Sequence, residues 1–366
     1  MKKVFVSFIL SFLLPTLWEG LGVGSLHAQT TVLSYRPGVT TDGVVYYLPQ
    51  TALKIAVTAT RTTVHPGDFH KYAQRMLRLN DAAQKEQTQW KIDKVQMVAC
   101  GEPDTAKAHI VMLKKNTSAP LCSLTEDGIL LSINAQSEQP KEAALELLNS
   151  STTGKVNSRD FFNEEILSAG SELKMAELTA AEIYNIRESR SELTKGEADY
   201  MPKDGEQLKL MLQKLDEQEH ALMQLFKGYA DTETKTWVLT YVPSIAKDKE
   251  VIARFSDQHG LVDKDNLSGE PIYITVLNKK TVAEGKTEIT DKRLIDRVVY
   301  YNVPSQAEME ISFMGTALIK SQMPIAQFGH EEYLTDDLFN RRATCHIWFS
   351  PVTGNIQKIE DTSVGK

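Results

Sequence analysis

Two tyrosine pairs, Tyr46-Tyr47 and Tyr300-Tyr301, stand out in this 366-residue chain as residues that could contact a ligand. On a strand, neighbouring side chains point to opposite faces, so one member of each pair must face away from the core. An outward tyrosine offers an apolar ring with a hydrogen-bonding tip, which suits a sugar or a protein surface. Packing between sheet faces accounts for the same pairs, so both readings stay open.

The other chemical candidates are thinner. "HPGDFH", His65 to His70, holds donor atoms at close spacing, but it reads as a turn into a helix, and no H-E-x-x-H or Cys-x-x-Cys accompanies it. "GHEE", Gly329 to Glu332, reads as a polar loop. "DKDNLSGE", Asp263 to Glu270, fails as a calcium loop because Leu267 stands where an oxygen ligand belongs and Ser268 where glycine is required. Ser171 and Lys174 fit S-x-x-K without the companion S-D-N and K-T-G elements. "GKT" at 285–287 has Lys280 in place of the first phosphate-loop glycine. There is no G-x-S-x-G elbow and no G-x-G-x-x-G. Carboxylates abound, yet linear sequence does not set the separation a glycosidase needs. No catalytic residue, metal ligand or cofactor is assigned.

Three cysteines remain. Cys100 and Cys122 flank a strand-like segment and are the candidate disulfide pair. Cys345 alternates with Ile347 and Phe349, which places it on an apolar strand face as an inert thiol.

The residues that position these groups fall into three stretches. Lys2 and Lys3, an apolar run from Val4 to Trp18 and the exit at Ala28 read as a cleavable secretory signal. A formal net charge of −7 without basic clusters argues against nucleic acid as a partner. No later apolar run is long enough for a membrane span, so no transmembrane segment is expected after cleavage. From 44 to 134 the pattern is mainly β, from 140 to 228 helical, and from 229 onward β again. "VVYYLP" at 44–49 matches "VVYYNVP" at 298–304, and each precedes an alternating strand, "TALKIAV" or "AEMEISF". This suggests duplication of one module, with His109 corresponding to His346 and Gly128 to Gly354.

Between the β parts, an apolar stripe from Ile166 through Leu173, Ala180 and Ile183 predicts one long helix that continues into Arg187 and Arg190. Gly196 suits the helix C-terminus, and Asp204 is a candidate N-cap with Gln207 three residues on. The second helix carries Leu208, Leu212, Leu215, Glu219, Leu222 and Phe226, a heptad seam with one acid in it. Arginines on one seam and Glu219 on the other invite pairing, although a register counted from the connection puts Arg187 nearer Lys214.

The hairpin string "YNIRESRSELTKGEADYMPKDGEQLKLMLQKLDEQEHALMQLFKG", with "ARFSDQHGLVDKDNLSGEPIYI" and "MPIAQFG", resembles domain-of-unknown-function family 4831, exported proteins of Bacteroides-type bacteria. The resemblance implies a cell-envelope setting and carries no catalytic role. The expected fold is α+β: two related β-rich modules separated by a long antiparallel helical hairpin. The expected divisions are a signal peptide 1–28, an N-terminal β-rich module 29–139, the helical hairpin 140–229 and a C-terminal β-rich module or modules 230–366. The expected function is non-catalytic, periplasmic or envelope-associated, with an envelope protein or glycan as partner. The alternative is a carbohydrate- or peptidoglycan-binding protein or hydrolase.

Overall fold

The computed structural model describes residues 43–112, 122–141, 144–283, 298–335, 338–340 and 343–361. The expected signal peptide and the "GKT" tripeptide lie outside them. The described chain forms three antiparallel sheets and a helical hairpin.

In the first sheet, β1 (Gly43–His65) lies between β2 (Gln87–Met112) and β6 (Tyr229–Tyr241), with β5 (Ser150–Thr152) at the far edge. The third sheet joins β3 (Cys122–Leu124) and β4 (Leu130–Ile133) to β13 (Ala343–Phe349), which also pairs with β12 (Phe339–Asn340) and β14 (Ile356–Asp361). The second sheet is built from β7 (Lys247–Ser256), β8 (Gly260–Val262), β9 (Glu270–Asn278), β10 (Val298–Phe313) and β11 (Thr316–Thr335). Strand partnership therefore crosses the 139/140 and 229/230 divisions: β6 joins β1, while β3 and β4 join β13.

Alternation along β1 puts Leu53, Ile55 and Val57 on one face. They pack against Ile272, Ile274 and Val276 of β9 and Met309 and Ile311 of β10 in the main core. Burying each such side chain stabilises by about 1.5–3 kcal/mol, far above the 0–1 kcal/mol of an exposed ion pair, so this sandwich core dominates the fold. A second cluster gathers Tyr46, Leu48, Cys122, Ile133, Val299, Cys345 and Ile347.

β2 runs unbroken from Gln87 to Met112. The segment between "WKIDKVQMVAC" and "AHIVMLKK" is taken up as a bulge. β1 advances two residues, from Tyr47 to Pro49, while β2 passes five, from Ala108 to Pro103. The β10–β11 hairpin has a bulge of the same size: Val303 to Ser305 faces His330 to Ile325. Bulges bend a strand and increase its twist. "GHEE" is accordingly part of strand β11 and not a loop.

Helix α1 (Ala73–Leu77) follows β1, and α2 (Glu164–Leu167) precedes the hairpin of α3 (Glu172–Lys195) and α4 (Gly205–Lys227). The single helix expected from Ile166 is interrupted, because Ser171 starts α3 afresh by accepting a hydrogen bond from Lys174 N–H at 3.2 Å. That N-cap is the role of the S-x-x-K pair. Gly196 ends α3 with φ 77°, and Asp204 caps α4 by accepting from Gln207 N–H at 2.7 Å. Asp204→Ala is expected to lower stability by about 1 kcal/mol and Asp204→Asn by much less, read from thermal unfolding.

Candidate functional site

The start of β1 and the start of β10 meet, bringing Tyr46 to Tyr300. The Tyr46 hydroxyl donates to the Tyr300 carbonyl at 3.2 Å and accepts from the Tyr300 N–H at 2.8 Å. Asn302 answers from the other side, its Nδ2 donating to the carbonyls of Pro49 and Thr353, both at 2.9 Å. Tyr46 is fully buried and Tyr47 nearly so, which corrects the expectation of an outward ring at this pair. The physical cause is that both faces of β1 are covered here. The second cluster covers Tyr46, and the β3–β4 turn covers Tyr47. The Tyr47 N–H donates to the Gly128 carbonyl at 2.9 Å. Gly128 has φ +85°, and a Cβ there would lie 3.1 Å from the Tyr47 ring.

Tyr300 and Tyr301 are half-buried. Tyr300 stacks on His109 with centroids 4.4 Å apart and meets Tyr333 edge-on at 6.4 Å. Tyr301 donates to Glu332 Oε2 at 2.6 Å, and Glu332 Oε1 lies 3.1 Å from His330 Nε2. Glu331 pairs with Lys107 at 2.9 Å and faces His109 Nε2 at 3.8 Å. This joint of β1, β2, β10 and β11 is the densest cluster of titratable groups around the tyrosines. The sequence does not single out Asn302 or Lys107, and it offers Glu331 only within "GHEE", since only the strand register brings them together.

Burial raises the pKa of Tyr46 strongly, against the hydrogen bond from Tyr300. It also raises that of Tyr300, and with the Glu332 hydrogen bond it pushes Tyr301 up to about 12. The Cys122 thiol is pushed up to about 12 by burial. General acid–base work near neutrality needs a pKa near the working pH, and a thiol nucleophile needs its thiolate. These groups are moved away from both. The arrangement ties hairpins together.

His109 is the exception in direction. Burial lowers its pKa, with Lys107 acting in the same sense and Glu331 opposing. The folded state therefore binds this proton less readily than the unfolded chain, whose histidine titrates near 6.5. Stability from this group is complete above that value and is lost as pH falls through and below it. Unfolding midpoints are expected to drop between pH 7 and 5, and His109→Phe is expected to flatten that slope.

The helical seam joins an apolar cluster of Ile183, Ile186, Leu222 and Phe226 to a group of ion pairs. Arg187 Nε donates to Glu219 Oε1 at 2.6 Å, and Arg190 pairs with Glu219 Oε2 and with Asp216 at 2.6 Å. Burial opposes ionisation of Glu219, but the hydrogen bond and charge of Arg187, joined by Arg190, outweigh it and hold the carboxyl below its usual range. With Asp204 and Gly196, these residues shape the corner.

The other candidates disperse. His65 faces Asp231 at 3.2 Å and Glu86 at 3.3 Å, while His70 Nδ1 lies 2.7 Å from the Gly67 carbonyl. Among the described residues, no group of three or more His, Cys, Asp or Glu is placed to hold a metal ion. The candidate disulfide pair, Cys100 and Cys122, falls on two different sheets. Cys100 sits opposite Ala52 in the first sheet, and Cys122 opposite Ile133 in the third. None of the four tyrosines lines the open cleft of about 540 Å³, whose walls include Lys54, Glu102, Glu126, Asp127 and Pro351, although its lining residue Ile129 bridges Tyr47. No described helix is long and apolar enough to cross a membrane.

The family model described as "Domain of unknown function (DUF4831)" matches residues 42–357. No curated protein and no solved structure matches the chain. The chain belongs to the DUF4831 family.

Proposed function

We propose that this protein is a non-catalytic component of the cell envelope that binds another envelope component, and that its two long hairpins are copies of one module. The observation that carries the reading is the reciprocal lock at the bulges. Tyr46 and Asn302 stand one residue before the bulge-flanking Tyr47 and Val303, and each reaches across to the backbone of the other hairpin. The groups best suited to chemistry are thereby engaged in holding the two copies together. The envelope setting rests on the leader-like residues 1–28. A glycan-binding or hydrolysing role would call for a cleft at this junction lined by Tyr46 or Tyr300, and the full burial of Tyr46 weighs against it.

The test is crosslinking of the tagged full chain in its native envelope, followed by mass spectrometry. The expected result is a stoichiometric protein partner. Recovery of the protein alone, or robust turnover of an envelope polymer by the purified chain, would overturn the reading.

A further inference from the structure

Leu267 is 80% exposed and Met314 74%, more than any other large apolar side chain among the described residues. Both line one groove of about 510 Å³. Its walls include Trp90 and Ile92 of β2, Phe255 of β7 and Leu318 of β11, and the Trp90 N–H is fastened to the Asp257 carbonyl at 2.6 Å. A groove of this volume with mainly apolar walls falls in the size range of ligand pockets.

Neither lip is a loose loop. Arg254 holds the Leu267 loop, donating to the carbonyls of Lys264 at 2.8 Å and Gly269 at 3.0 Å. Met314 and Gly315 form the two-residue turn between β10 and β11, with φ 49° and 80°. Such a turn favours Asn-Gly, and an unbranched apolar residue in the left-handed region is uncommon. The turn thus carries a methionine against its backbone preference, and methionine adapts to varied apolar surfaces.

The rim identifies the occupant. Asp257 and Glu270 line the groove with Lys91, and the Leu267 loop adds Asp263, Asp265 and Lys264 beside Arg254, so acids exceed bases by four to three. A net-acidic rim around an apolar centre disfavours an anionic membrane surface and complements a basic-flanked protein segment. We infer that this groove docks a peptide segment of a partner protein whose large apolar side chains are flanked by lysine or arginine. The inference rests on the partner-binding reading above and places its contact surface.

The experiment measures binding of labelled synthetic peptides by fluorescence anisotropy on the purified full chain. An apolar tetrapeptide flanked by lysines is compared with the same core flanked by glutamates and with phosphatidylglycerol vesicles. The lysine-flanked peptide is expected to bind, and Leu267→Asp and Met314→Asn are each expected to weaken it at least tenfold. Met314→Asn should at the same time raise the thermal midpoint, because asparagine tolerates this turn, so weakened binding cannot be ascribed to unfolding. Equal binding of the glutamate-flanked peptide, preference for vesicles, or no peptide binding would overturn the groove assignment. Envelope crosslinks to a partner made only from other faces would also overturn it while leaving the partner-binding reading standing. Absence of any partner would remove both.

Discussion

Gly329→Ala is expected to destabilise the protein by about 3 kcal/mol or more, or to prevent folding. Gly329 lies in the β11 bulge, where its backbone runs against β10. A Cβ built there would fall far inside contact with the Val303 carbonyl oxygen and against Pro304 Cα, both backbone atoms that no side-chain rotation can move aside. The requirement is for space and not for a left-handed φ. Gly101, beside the corresponding bulge of β2, is similarly pressed against the Pro351 carbonyl. Gly205→Ala is the control: a Cβ there meets nothing within 4 Å, and no loss is expected. Urea unfolding of Gly329→Ala, Gly101→Ala and Gly205→Ala against the parent reads the difference. A Gly329→Ala protein as stable as the parent would mean that the bulge is not a fixed feature.

Tyr46→Ala is expected to cost about 3–5 kcal/mol, the range for removing a buried aromatic ring from a core. Tyr46→Phe keeps the ring and isolates the hydroxyl, which alone bridges the Tyr300 N–H and carbonyl. Leaving those groups without their partner is expected to cost about 1–3 kcal/mol. The difference between the variants separates packing from hydrogen bonding. Equal losses would assign the effect to the hydroxyl.

What the sequence reveals here is mostly local. Capping at Asp204 and the glycine stop at Gly196 depend on residues within one turn. The alternation of β1 and β10 is written in residues two apart, and both strands appear where it is strongest. Pairing between distant strands has no such signature. Nothing in "CSLTEDGILLSINA" indicates that its second strand will lie beside Trp348. The tyrosine pairs were visible as residue types, but their exposure depends on which sheets cover them, and that is a tertiary matter. The helix register escapes counting from the connection for a related reason. The connection Gly196–Asp204 is long enough to let the helices slide, and Arg187 meets Glu219 instead of standing opposite Lys214. The sequence marks His109 only as a counterpart of His346, whereas the fold stacks it on Tyr300 and leaves His346 beside Trp348 at 6.2 Å.

The central claim is that Tyr46 and Asn302 lock two hairpins and do not meet a ligand. A double-mutant cycle of Tyr46→Phe and Asn302→Ala, measured by urea unfolding with partner recovery from crosslinked envelopes scored in parallel, tests it most directly. The account predicts that each variant loses stability and that the two losses couple by about 0.5–3 kcal/mol. It also predicts that the fraction remaining folded still recovers the partner. Variants as stable as the parent that fail to recover the partner would contradict it, and would make Tyr46 a contact residue after all.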